Sequence, residues 1–291
     1  MLLLTGATGL VGSALLRRLT AARIPVRCLV RDPKRLGSER VRVQIALGDL
    51  ADPQSFRNAL RGVDTVVHLA AAARDQSVGS IEELTGIATW RMVQAAEKAG
   101  AQHFVYAGAL GATAHSRARF LRAKALAEEA VRESSLRHTI LAPSLVYAPH
   151  DRHMTMLARA ALLPVLPVAG GSARFQPIWA DDVADCAFAV VQGLGGENGR
   201  HELAGPDTFS HDEIVRLKLR AAGRSPALVH LPDVITSRVL RLGETLAGSK
   251  TPTTWDEVEL TEVSMTTPHG TAHAEALGVV PRRMPAVLGA A

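Results

Sequence analysis

Leu2-Leu-Leu-Thr5-Gly6-Ala7-Thr8-Gly9-Leu10-Val11-Gly12 is the stretch that decides the fold of this chain. Three apolar residues running into Thr-Gly read as a short buried strand, and Val11–Ala22 carries the apolar spacing of a helix. Between them stands GxxGxxG. Gly6 permits a tight turn, Gly9 lets a diphosphate reach backbone N–H groups at a helix N-terminus, and Gly12 permits close helix–strand contact. A bare glycine pattern is weak, because such turns also serve packing alone. Its place here, strand before and helix after in the first βαβ unit, makes it a dinucleotide signal.

Outward from this unit the chain alternates strand and helix. Pro25–Val30 and Val41–Ala46 read as the second and third strands. Asp52-Pro53 opens a helix to about Leu60, with Asp at the N-cap and Pro in the first turn. Thr65–Leu69 is a fourth strand, Ile81–Ala99 a long helix closed by Gly100, and His103–Tyr106 a fifth strand. Arg117–Arg132 is helical, and His138–Leu141 is strand six. This alternation implies a parallel sheet covered on both faces, a doubly wound α/β architecture of the Rossmann type. After Pro149 the pattern loosens. Leu162–Gly171 is rich in Pro and Gly, Asp181–Gln192 is helical, His201–Leu203 is a short strand, and Ser210-His-Asp-Glu213 is a capping box. The expected division is a core of residues 1–149, completed by about 176–204, and a smaller, mostly helical C-terminal substrate lobe from 150–175 and 205–291. That lobe belongs on the side of the sheet where ligands of such folds bind.

The chain has 291 residues, 47% hydrophobic and 21% charged, so a sizeable core can form and wholesale disorder is excluded. Aromatics are only 4%, which leaves that core to Leu, Val, Ile and Ala. Two cysteines, Cys28 and Cys186, cannot make a disulfide framework, and neither sits at metal-ligand spacing. No window approaches the ~18 uncharged apolar residues of a membrane span, and the N-terminus lacks the basic region of a signal peptide. A reducing, cytoplasmic location is expected. The 33 Lys+Arg against 28 Asp+Glu give a net charge of +5, spread without runs. That excess suits a phosphorylated ligand or anionic lipid. With so few aromatics to stack bases, nucleic acid is not an expected partner.

Strand two ends at Val30 and is followed by Arg31 rather than an acid. A carboxylate there would bind the two ribose hydroxyls of NAD. A guanidinium stacks on adenine and pairs with a 2′-phosphate, so NADP(H) is favoured over NAD(H). Lys34 and Arg35 add charge. Asp32 could turn inward instead, and the bland alternative is that Arg31 merely begins a solvated loop. Gly48-Asp49-Leu50 after strand three suits the adenine edge, although Asp49 could equally be a turn former.

TGATGxVG at 5–12, GDL at 48–50, HLAA at 68–71 and an xxxK helix motif at 120–124 occur in order. On them the chain resembles the extended short-chain dehydrogenase/reductase (SDR) superfamily, as an atypical member. A narrower resemblance runs through Phe120-Leu-Arg-Ala-Lys124-Ala125, Asp151-Arg-His153, Leu163-Pro-Val-Leu-Pro167, Arg174-Phe-Gln-Pro177 with Asp182-Val183, Leu203-Ala-Gly-Pro206 and Leu277-Gly-Val. It points to the branch that contains the SDR-like accessory subunit of mitochondrial complex I and its bacterial relatives, and it covers essentially the whole chain. The resemblance implies a nicotinamide dinucleotide across the strand ends. Gly6, Thr8, Gly9, Leu10, Val11, Gly12, Arg31, Asp49, Leu50, Leu69, Ala70 and Ala71 would surround it, with Lys124 on the nicotinamide ribose.

An active SDR uses a Tyr four residues before that Lys as general acid/base, the ammonium lowering a phenol pKa of about 10. A Ser on strand five orients the substrate carbonyl. Here Phe120 occupies the Tyr position, and Tyr106-Ala-Gly-Ala109 offers no hydroxyl at the Ser position. Thr85 stands for the customary Asn, and Ala142-Pro143 for the usual Arg-Pro. Standard SDR proton transfer is therefore not expected.

Three readings follow. In the first, the nucleotide is a structural or sensing ligand within an assembly or for a redox readout. In the second, the chain is an NAD(P)H-dependent oxidoreductase on an apolar or quinone/carbonyl substrate, with the acid/base relocated to Lys124, Tyr147 or His68. A His on an apolar strand is more often a satisfied core residue, and Tyr147 could equally pack the lobe against the sheet. The third, a sugar-nucleotide epimerase or dehydratase, is the chemistry that loss of the Tyr damages most. His150-x-x-His153 and His269-x-x-x-His273 lack the company of a metal site, and no metal is expected. Asp181-Asp182 reads as a helix cap. Val234–Leu246 places Ile235, Val239, Leu242 and Leu246 at helical spacing beside Arg238, Arg241 and Lys250. A packed lobe helix shows that pattern, and so does a membrane-surface helix. A peripheral place at the inner face of a membrane, or a protein assembly, is thus the alternative to a free cytoplasmic chain.

Overall fold

Leu3, Leu29, Val66, Phe104 and Ile140 alternate along their strands with Leu2, Leu4, Cys28, Val67, Val105 and Leu141, and this alternation builds two cores on one sheet. The computed structural model describes residues 1–149, 151–162, 165–169, 172–231 and 254–289. The Val234–Leu246 segment, His150 and part of the Leu162–Gly171 connection lie outside the described residues. Strands β1 (Leu2–Thr5), β2 (Val26–Val30), β3 (Gln44–Leu47), β4 (Thr65–His68), β5 (His103–Ala107) and β6 (Arg137–Pro143) follow the expected rhythm. Short pieces come next: β7 (Val146–Tyr147), β8 (Val165–Ala169), β9 (Arg174–Phe175) and β10 (Ile178–Trp179). Then β11 (Gly199–Leu203) returns to pair in parallel with β6. The seven-stranded parallel sheet runs β11-β6-β5-β4-β1-β2-β3, a Rossmann-like order whose direction reverses between β1 and β4. A crevice for ligands opens at such a switch point.

One face of the sheet is covered by α1 (Leu10–Ala21) and, later in the chain, by the helix Ala180–Val191. The other carries α2 (Pro53–Phe56), α3 (Ala88–Lys98) and α4 (Arg119–Arg132). Beyond the sheet stand α5 (Arg152–Ala160) and, after the Ala180–Val191 helix, which is α6, α7 (His211–Ala221) and α8 (Trp255–Leu260). Leu157 of α5 and Leu166 of β8 pack there against Val215 and Leu219 of α7. The capping box at Ser210 and Glu213 opens α7 as its spacing requires. Among the described residues, no helix is long and apolar enough to cross a membrane.

Three local expectations differ from the structure. Strand β3 starts at Gln44 rather than Val41, because Asp32 accepts from the Lys34 N–H and Pro33 starts 3-10 turns that run to Val41. The long helix expected from Ile81 opens as a π-helix over Glu82–Ile87 before α3. Gly86 there lies against α4, where a Cβ would come within 2.9 Å of Leu126 Cδ2. Asp181 and Asp182 do not cap α6, whose N-cap position is Trp179. Asp181 instead stands 3.6 Å from both Arg17 and Arg18, and the buried Asp182 accepts from the Arg282 N–H at 2.8 Å. Tertiary partners outcompete the local cap.

Candidate functional site

β1 ends at Thr5, and Gly6 takes φ +71° to turn the chain toward α1. A Cβ on Gly6 would lie 2.7 Å from the Ala70 nitrogen, and one on Gly12 only 2.0 Å from the Gly6 carbonyl oxygen. Both glycines answer to contacts within the protein. Gly9 differs, since a Cβ there would meet one atom, the Gly6 oxygen, at 3.3 Å. Gly9 is also the N-cap of α1, with no side chain capping it and no acid in the first turn. The first-turn N–H groups therefore keep their donors for an anion, and the helix dipole favours one there.

About 380 Å³ of groove lies over the C-terminal ends of β1, β2 and β4. Gly6, Thr8, Gly9, Arg31, Asp49, Leu50, Leu69, Ala70 and Ala71 border it, together with Asp32, Arg35, Ala72 and Gln76. Leu10, Val11 and Gly12 form the start of α1. Arg31, at the tip of β2, donates to Gln76 Oε1 at 3.3 Å and stands 3.8 Å from Asp49 Oδ2. Asp32 is occupied by its cap on Lys34.

A chain of buried hydrogen bonds supports the groove. Thr5 Oγ1 meets His68 Nδ1 at 2.8 Å, and His68 Nε2 meets Thr89 Oγ1 at 3.1 Å. Thr89 donates to the Thr85 carbonyl at 2.6 Å. Thr85 Oγ1 accepts from the Ala72 N–H and donates to the Ala72 carbonyl, fixing the backbone at the groove edge. Burial, helped by the nearby Lys124 charge, pushes the His68 imidazole down to about 3. His68 is thus a neutral, satisfied core residue that ties the glycine turn to the helix opposite.

Lys124 is buried, and its Nζ donates to the Ala107 carbonyl at the end of β5. The nitrogen lies 4.9 Å from the centre of the Tyr106 ring and 5.6 Å from that of Phe120. Burial lowers the ammonium to about 8, against the opposing pull of Glu128. Phe120, four residues before Lys124, puts a ring without a proton to give beside that nitrogen. At Gly108 a Cβ would meet Glu128 Oε1 at 2.3 Å, so a side chain there would have to displace this carboxylate. Glu128 is itself buried and held by Arg132 at 2.7 Å and Arg200 at 3.1 Å. Sequence reasoning missed Glu128, although Lys124, Glu128 and Arg132 stand at the four-residue spacing of one helix face. Tyr147 belongs to the cluster of Phe175 and Met265, against which Phe120 also packs. Burial, with Asp182 and Asp207 nearby, raises its phenol above the usual value. The structure brings Phe120 and Lys124 together, and Phe120 packs in turn on the cluster that holds Tyr147.

A parallel sheet whose glycine turn opens on a groove at the switch point defines a dinucleotide-binding α/β protein with an atypical SDR-like fold. Residues 6–192 match the NAD(P)H-binding family, and the chain belongs to it. It is 30% identical over 228 residues to the NAD(P)H azoreductase of Xenophilus azovorans, covering 77% of this chain and 74% of that protein. It is 29% identical over 243 residues to the mitochondrial NADH dehydrogenase (ubiquinone) 1 alpha subcomplex subunit 9 of Arabidopsis thaliana. That match covers 78% of this chain but only 59% of the plant subunit. The NADPH-dependent quinone oxidoreductase QOR2 of Escherichia coli, solved with NADPH, superposes with a TM-score of 0.77 at 18% identity over 99% of both chains, a likeness of fold. The kinship with the complex I subunit suggested by the motifs is thereby shown, and bacterial reductases share it.

Proposed function

We propose that this chain holds NADP(H) in the groove without the Tyr–Lys proton relay of the SDRs, as a structural or sensing ligand. The observation that carries this reading is Phe120, which puts a bare ring beside Lys124 while the groove keeps what a dinucleotide needs. The uncapped start of α1 suits the diphosphate, and Arg31 suits the adenosine 2′-phosphate. Residues 1–149 with 176–204 form the nucleotide-holding core in this reading, and the remainder a lobe for a small apolar substrate or a protein partner. A ligand that binds only the folded chain stabilises it by about 2.7 kcal/mol at a hundredfold excess over Kd. Likeness to a complex I subunit agrees with a role in an assembly or at a membrane surface.

A second reading has its own support. Lys124 is lowered to about 8, close enough to neutrality to exchange a proton at Nζ, and the azoreductase relative is a reductase by name. Bound NADPH would supply a hydride, and Lys124 would serve an apolar or quinone-like acceptor.

The test is a titration with NADPH and NADH, followed by a panel of quinones and aldehydes added to the saturated complex. Tighter binding of NADPH without consumption is expected, and Arg31→Ala should cut the preference about tenfold. Consumption that Lys124→Met abolishes would establish the second reading instead. An unchanged preference in Arg31→Ala would remove the 2′-phosphate assignment.

A further inference from the structure

The segment 72–80 touches three parts of the molecule. On the groove side, Gln76 Oε1 accepts from Arg31 at 3.3 Å. Gln76 and Gly79 exchange backbone hydrogen bonds of 2.9 and 3.1 Å, which hold Gln76 on a tight hairpin. Behind it, Asp75 accepts from the Ile81 N–H at 2.8 Å and from Arg119 at 3.1 and 3.2 Å. Arg119 also grips Glu82 at 2.7 Å and reaches Asp256 at 3.3 Å. Arg74 Nε donates to Glu257 at 3.0 Å. Asp256 and Glu257 form the first turn of α8. Polar contacts thus tie α8 to Arg74 and, through Arg119, to Asp75, and the backbone carries that tie to Gln76, which meets Arg31 at the groove mouth.

Arg31 is half-exposed; Gln76 accepts from it at 3.3 Å, and the Asp49 carboxylate stands 3.8 Å away. The Asp49 carboxylate attracts the guanidinium but cancels its charge. The Gln76 amide fixes the fork without cancelling anything, leaving a positive group pre-organised for an anion. We propose that Gln76 is a specificity-positioning residue for the adenosine 2′-phosphate, and that α8 sets its place through Arg74 and Arg119. The inference rests on the NADP(H) reading above.

Dissociation constants for NADPH and NADH, measured on the full chain, test it. Gln76→Ala should lower the NADPH-over-NADH affinity ratio about fivefold, whereas a merely structural role would weaken both nucleotides and leave the ratio fixed. Gln76→Glu should lower it further, because a second carboxylate beside Arg31 competes with the phosphate. Glu257→Gln should lower the ratio about twofold and speed amide exchange over 72–80. An unchanged ratio in both Gln76 variants, with the ratio lost in Arg31→Ala, overturns the inference and leaves the nucleotide reading standing. A ratio unchanged in Arg31→Ala as well overturns the reading itself. If the ratio falls in Gln76→Ala but holds in Glu257→Gln, the role of α8 is overturned.

Discussion

The groove over β1 and the corner around Lys124 lie at the same end of one sheet, yet they are built by opposite means. The groove is made by atoms that are missing: no side chain at Gly6, Gly9 or Gly12, and no cap on α1. The corner is made by atoms that are present. Glu128 fills the space beside Gly108, and the Tyr106 and Phe120 rings stand over the Lys124 nitrogen. Holding a diphosphate asks for backbone donors, which almost any sequence with the right glycines supplies. Moving a proton asks for one hydroxyl at one place. Binding and chemistry can therefore part company within a single fold.

The sharpest way to break the comparison is at Gly12. Gly12→Ala places a methyl 2.0 Å from the Gly6 oxygen, an overlap with backbone that cannot be rotated away. A loss of about 4 kcal/mol or more is expected in urea unfolding, and a stable variant would show that the turn has more slack than its contacts suggest. At the corner the lever is pH. Lys124 titrates at about 8 in the folded chain and near 10.4 when unfolded. Between those values the unfolded chain binds the extra proton, so stability rises with pH. Relative to Lys124→Met, the gain from pH 8 to 10.5 should be roughly 2.5 kcal/mol, and a flat difference would sink the picture of a desolvated ammonium.

Gly9→Ala separates ligand from packing within the groove itself. Its Cβ has one contact, at 3.3 Å, so the melting temperature should barely move. NADPH affinity should nevertheless fall about tenfold, and equal damage to stability in the Gly9 and Gly12 variants would erase the distinction. The smallest effect on stability is expected from Phe120→Tyr, about 0.5 kcal/mol. Its value lies in the chemistry, because the new phenol stands near the Lys124 nitrogen and supplies the hydroxyl that Phe120 lacks. Appearance of carbonyl reduction in that variant would show the corner to be one hydroxyl short, and continued silence would show that restoring the phenol alone is not enough.

Much of this was legible in the chain itself. The glycine turn, the strand–helix rhythm, Arg31 after β2 and Phe120 four residues before Lys124 are all local spacings, and local spacing survives without tertiary information. The early start assigned to β3 and the capping role assigned to Asp181-Asp182 went astray for the converse reason. Asp32 took a cap that strand propensity does not register, and Arg17, Arg18 and Arg282 drew the two aspartates to partners distant in sequence.

By itself, the sequence determined that the chain would wind a parallel sheet around an anion-ready helix start, and that a Phe would stand four residues before Lys124. Hydrophobic period, glycine geometry and residue identity are written one position at a time. The tertiary structure decided what occupies the vacated space. It put Glu128 against Gly108, made His68 a neutral strut rather than a base, and brought Gln76 onto Arg31 across 45 positions of chain. Those outcomes depend on distances between segments that only packing fixes, because desolvation and hydrogen-bond competition act on whatever the fold brings within reach.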